Sequence, residues 1–109
     1  MATTPVTREQ VEIVLLHNKL FCQKLKANIE RRRRALDKLE AGYELMQGAL
    51  IASAVLEKKG DYCKALLVLE RDHPKGQELY EEAMAERDAC DVDLAEAYEE
   101  FEGATARRC

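Results

Sequence analysis

The sequence predicts an all-α chain folded as an elongated antiparallel helical hairpin. Three observations lead there. No proline occurs between Thr7 and Lys59, a Gly-Asp break follows at Gly60–Asp61, and apolar residues recur every seven positions on both sides of that break. Composition agrees: 35% of residues are charged and 6% aromatic, with no Trp and two Pro, a balance that favours helices over sheet. At 47% apolar the chain carries too much to bury to stay disordered. Its 109 residues make a single domain, with 1–6 and 103–109 expected to be flexible.

The first helix is read over about 7–59. Thr7 with Gln10 is a capping box, and Val11 opens the apolar pattern. At 1.5 Å per residue this helix would be about 80 Å long. One heptad column is Leu15, Cys22, Ile29, Leu36, Tyr43 and Leu50. A second is Val11, Asn18, Leu25, Arg32, Leu39, Met46 and Ser53. A third, of Val14, Phe21, Asn28, Ala35, Gly42, Ala49 and Leu56, is mostly apolar or small. Two columns suit a two-stranded coil, whereas three call for more than one neighbour. Asn18 on the seam is expected to fix register, and Gly42 and Gly48 to weaken the helix locally by about 1 kcal/mol each.

The segment "KKGDYC" ends this helix. Lys58 and Lys59 suit its negative end, Gly60 the position beyond it, and Asp61 the cap of the next helix. "LEKKGDYCKALLVLERDHP" resembles the inter-helix turn of a tetratricopeptide repeat in Gly60, Tyr62, Ala65, Leu66 and the later proline. No second copy follows at the period of roughly 34 residues such arrays need, so the segment reads as a tight helix–helix turn.

The second arm is read over about 62–102, kinked at Pro74. Its heptads keep phase through the proline: Leu66, His73, Tyr80, Arg87, Leu94 and Phe101 in one column, Leu69, Gly76, Ala83, Cys90 and Ala97 in the other. A hairpin closed at Gly60 brings together residues whose numbers total about 121.

Charge supports that closure. Residues 1–59 hold 11 Lys/Arg and 7 Asp/Glu, whereas 60–109 hold 6 and 14, so the arms carry +4 and −8. The block Arg31, Arg32, Arg33 and Arg34 then falls beside the acidic stretch 78–102. Four consecutive helical residues point in four directions, so they cannot form one nucleic-acid stripe. An internal or inter-subunit charge match is the favoured reading, with Arg33 near Asp88. A nucleic-acid contact through 24–38 and a targeting signal are the alternatives.

No catalytic, metal or cofactor pattern is present. His17 and His73 sit beside no nucleophile, and there is no Gly-rich phosphate loop and no close Cys/His spacing. The many carboxylates of the second arm lack the Glu-x-x-His of di-iron bundles. Cys63, near a helix start and beside Lys64, is a candidate reactive thiol, while Cys22 and Cys90 read as seam residues that do not oppose each other. Cys109 lies outside the prenylation spacing.

No stretch is long enough to span a membrane and no secretory signal is read, which points to the cytoplasm, with the nucleus as the alternative. The function expected is a non-catalytic interaction module: a coiled-coil scaffold subunit, adaptor or assembly factor. It would bind itself, as a homodimer or higher oligomer, or another helical protein, and no membrane. The first arm's contacts would be Leu15, Leu25, Ile29, Leu36, Leu39 and Tyr43, and the second's Tyr80, Leu94, Ala97 and Phe101. A nucleic-acid-associated protein or a helical chaperone with a client groove are the other readings.

Overall fold

The computed structural model of the chain describes residues 5–106. It contains two helices and, among the described residues, no strand: α1 (Arg8–Lys58) and α2 (Tyr62–Thr105). The chain divides into two compact units. One takes the chain up to Arg31 and again from Ala89, and the other is Arg32–Asp88, which includes the turn. In each unit a stretch of α1 lies antiparallel to a stretch of α2, so the fold class is the helical hairpin the sequence predicts.

Local signals set the helix ends. Gln10 donates its backbone N–H to Thr7 Oγ1 (3.2 Å) while Gln10 Oε1 accepts from the Thr7 N–H (2.9 Å), a complete capping box. At the far end Gly60 adopts φ +78°. Its N–H reaches Glu57 O (2.9 Å) and the Asp61 N–H reaches Leu56 O (2.9 Å), which is the Schellman closure. Asp61 then starts α2: its carbonyl accepts from Ala65 N–H (3.1 Å) and its Oδ1 from Lys64 N–H (3.4 Å). Helix α2 runs unbroken through Pro74. Proline has no N–H to reach Glu70 O, so that ladder bond is absent. The helix also passes Phe101, where the sequence suggested fraying, and continues to Thr105, whose hydroxyl donates to Phe101 O (2.7 Å).

The seam is built from small residues. In the turn-containing unit Ala35, Ala49, Ser53, Ala65 and Ala83 are buried, and Gly42 and Gly76 with them. A Cβ placed on Gly42 would lie 2.7 Å from Gly76 O, and one on Gly76 would lie 2.6 Å from Gly42 O. The backbones therefore touch at this crossing, and neither position has room for a methyl group. Gly42, read as a local weakness from propensity alone, is where the helices meet. In the other unit Asn28, Cys90 and Ala97 fill the seam, with Phe21 stacked on Phe101 at 5.0 Å between ring centres.

The glycines therefore predict opposite outcomes. Gly42→Ala should lose about 1–3 kcal/mol from overpacking, more than the roughly 1 kcal/mol gained in helix propensity. Nothing lies within 4 Å of a Cβ on Gly48, so Gly48→Ala should stabilise by about 1 kcal/mol. Gly60→Val should cost about 1 kcal/mol or more through its left-handed backbone alone, since the Cβ itself meets open space. Urea midpoints of the three variants check all three signs.

Candidate functional site

Polar groups inside each seam fix which residues face each other. Asn28, buried, donates from Nδ2 to Cys90 O (2.8 Å). Ser53, also buried, donates from Oγ to Ala65 O (3.1 Å). These contacts, like Gly42 with Gly76, pair residues whose numbers total 118. Asn18 does not share this role: it is exposed, and its Nδ2 turns back to Val14 O (2.8 Å) on its own helix. The register residue is Asn28, in the third column, which is buried here while Asn18 is exposed.

Ion pairs cross between the helices in each unit, Lys24 with Glu100 (2.7 Å) and Arg31 with Asp93 in one and Lys38 with Glu82 (3.9 Å) in the other. Lys24, Arg31 and Lys38 are seven residues apart, so they lie along one side of α1. The Lys24 ammonium holds the Glu100 carboxyl below its ordinary pKa, by hydrogen bond first and charge second. The arginine block divides accordingly. Arg31 joins the ion-paired flank, and Arg32 is half-buried at the seam. Arg33 and Arg34 are exposed and enter no ion pair among the described residues. The expected closeness of Arg33 to Asp88 gives way to Asp88 pairing with its neighbour Arg87 (3.4 Å). The 100° step per residue turns Arg33 away from α2.

The other flank is apolar. In the turn-containing unit Leu36, Tyr43 and Leu50 form one exposed column of α1. Leu36 lies two residues before Lys38, about 200° round the helix, so this column is on the far side of α1 from the ion pairs. An open groove of about 210 Å³ is lined by Arg32, Ala35, Leu36, Leu39, Ala83, Met84 and Arg87. Leu36 and Arg87 therefore share a side of the hairpin. Residues seven and more before Arg87 on the same side are Tyr80, His73 and Leu66, of which Tyr80 and Leu66 are exposed.

The residues singled out from sequence separate into two sets. Ala97 is buried in the seam, and Leu25, Leu39, Leu94 and Phe101 are half-buried. Leu15, Ile29, Leu36, Tyr43 and Tyr80 are exposed. The three-column stripe thus resolves into two columns spent on the partner helix and one left on the surface.

Cys90 is a free, wholly buried thiol, whereas Cys22 and Cys63 are free and exposed. Cys22 belongs to the outward column, which corrects its reading as a core residue. Lys64, the cation beside Cys63, is engaged by Asp61 (3.5 Å). Cys109 lies outside the described residues. Among the described residues no group of three or more His, Cys, Asp or Glu is placed to hold a metal ion, and no helix is long and apolar enough to cross a membrane. Set against protein-family models, curated proteins and solved structures, the chain matches none.

The ion pair at Glu100 carries a pH signature. A folded-state pKa below the unfolded one adds stability that is present above the unfolded carboxylate pKa and is lost as pH falls through the folded value. Lys24→Gln should therefore melt slightly below wild type near neutral pH, and the two curves should converge in acid. Thermal melts across that range, repeated at high salt to screen the exposed pair, make the check. Asn28→Leu should cost more, about 1–3 kcal/mol, because it acts inside the seam.

Proposed function

We propose that this protein is a non-catalytic interaction module that works by docking the apolar flank of its hairpin onto another helical surface. The observation that carries the reading is the sidedness. On the flank opposite Lys38–Glu82 the exposed large residues Leu36, Tyr43 and Leu50 of α1 share a side with Leu66 and Tyr80 of α2, while the buried seam positions are small. Soluble chains scatter single exposed apolar residues, but a contiguous patch marks a contact surface. The cytoplasm remains the compartment this reading proposes, and adaptor, scaffold or assembly factor are the roles that suit it.

Exposure at Arg33 and Arg34 favours a second reading, a nucleic-acid contact. Glu30 and Asp37 on the same helix, and the acidic character of α2, oppose it by cancelling the field that phosphates need.

Two measurements decide. Tyr43→Glu with Leu50→Glu alters residues exposed in the single chain, so helicity should persist. Chemical crosslinking of the tagged protein in its native source should capture an associated chain with the wild type and lose it with this double variant. An unchanged set of crosslinks would sink the flank reading. For the basic block, anisotropy with a labelled RNA should show no submicromolar binding at physiological salt. Tight binding with a steep salt slope, abolished by Arg33→Gln with Arg34→Gln, would transfer the function to the arginines.

A further inference from the structure

The two units of the hairpin are closed by different physical means, and only one of them contains a turn. We infer that the protein is an ion-latched clamp. The unit that runs up to Arg31 and again from Ala89 opens and closes cooperatively, while the turn-containing unit, Arg32–Asp88, stays shut. This goes beyond docking through the apolar flank and does not depend on it.

The turn-containing unit is closed by the chain itself. Only Lys59, Gly60 and Asp61 join its two stretches, and closing so short a loop costs little entropy. Its seam then sets backbone against backbone at Gly42 and Gly76, with small buried side chains on either side. A contact of that kind cannot loosen without moving both helices.

The other unit has neither feature. Its two stretches are not joined to each other within the unit. Among the described residues its buried side chains are Asn28, Cys90 and Ala97. The first two are linked by a hydrogen bond from the Asn28 amide to the Cys90 carbonyl, and water replaces both halves of that bond when it parts. Around them Phe21, Leu25, Leu94 and Phe101 are only half-buried. Opening therefore returns little apolar surface to water, and each helix keeps its own backbone hydrogen bonds.

What draws these stretches together is charge. Between Arg8 and Arg31, α1 holds five basic and three acidic residues. Between Ala89 and Thr105, α2 holds six acidic residues and no basic one. Lys24 with Glu100 and Arg31 with Asp93 form the latch, and their side chains are between 32% and 70% exposed. Salt reaches both pairs and screens them. The backbone contact at Gly42 and Gly76 carries no charge to screen.

Cys90, wholly buried when the unit is shut, reports its opening. In the full chain carrying Cys22→Ser, Cys63→Ser and Cys109→Ser it is the one remaining thiol. Its reaction with 4,4′-dithiodipyridine, an uncharged disulfide reagent, follows the open population when reclosing outruns labelling. Rates are taken relative to the urea-unfolded chain at the same salt.

Adding Lys24→Gln and Arg31→Gln to this chain should speed native labelling at least about threefold at low salt. At about 1 M salt the rate without them should rise to meet it. Gly42→Ala and Gly60→Val, both in the turn-containing unit, should lower the urea midpoint yet leave native labelling of Cys90 unchanged. Using both keeps the comparison if one of them fails to fold. A native rate no greater than global stability allows, or one that speeds in step with either glycine variant, would mean that only whole-chain unfolding reaches Cys90. Either result overturns the clamp. A rate indifferent to salt, or to loss of both cations, overturns the latch and the clamp with it.

Discussion

Everything in this hairpin follows from how closely the two helices approach. At Gly42 and Gly76 the backbones are near enough that a single added carbon on either would fall inside contact distance of the other's carbonyl. Helices come this close where the positions between the two backbones are small, as Gly42, Gly76, Ala35, Ala49, Ser53, Ala65 and Ala83 are, with Met46 and Leu79 packed at the edge of the crossing. Leucine in those positions would hold the axes apart and empty the seam elsewhere. Close approach thus decides which residues are inside, and it expels the large ones.

Expulsion has an energetic consequence. An alanine seam removes few carbons from water, at roughly 0.8 kcal/mol for each buried methylene-sized group, whereas each leucine left on the flank withholds several. The seam therefore buries small apolar side chains and leaves many of the large ones outward.

Polar contacts divide the remaining tasks by burial. Asn28 and Ser53 are buried and hydrogen-bond across the seam to backbone carbonyls, so a slip of either helix would strand them in an apolar site. They specify register. The cross-helix ion pairs lie at the surface, where water and salt reduce each to a fraction of a kcal/mol. They place charge beside the seam in each unit.

Much of this was legible in the residues alone. The capping box at Thr7 and Gln10, the Gly60–Asp61 turn, continuity past Pro74 and the alignment of basic with acidic arms are local or pairwise signals, and short-range chemistry determines them. The antiparallel register followed from closing the turn at Gly60, with charge in support: the expected total near 121 compares with seam contacts at 118 and ion pairs at 120 to 124. What heptad counting could not decide was which two of three apolar columns would pack. That choice depends on the distance between helix axes, which is a property of two surfaces together and not of either sequence stretch. Small residues at Gly42 and Gly76 look like weak helix formers until the partner's backbone is beside them. Hence Leu15, Ile29, Leu36 and Tyr43, the most hydrophobic column to the eye, belong outside, and Asn28 rather than Asn18 is buried. The sequence determined that the chain is a hairpin, because its turn and caps act within a few residues. Only tertiary contact decided its inside and outside, because the closest approach of two backbones set the size of side chain that could stand between them.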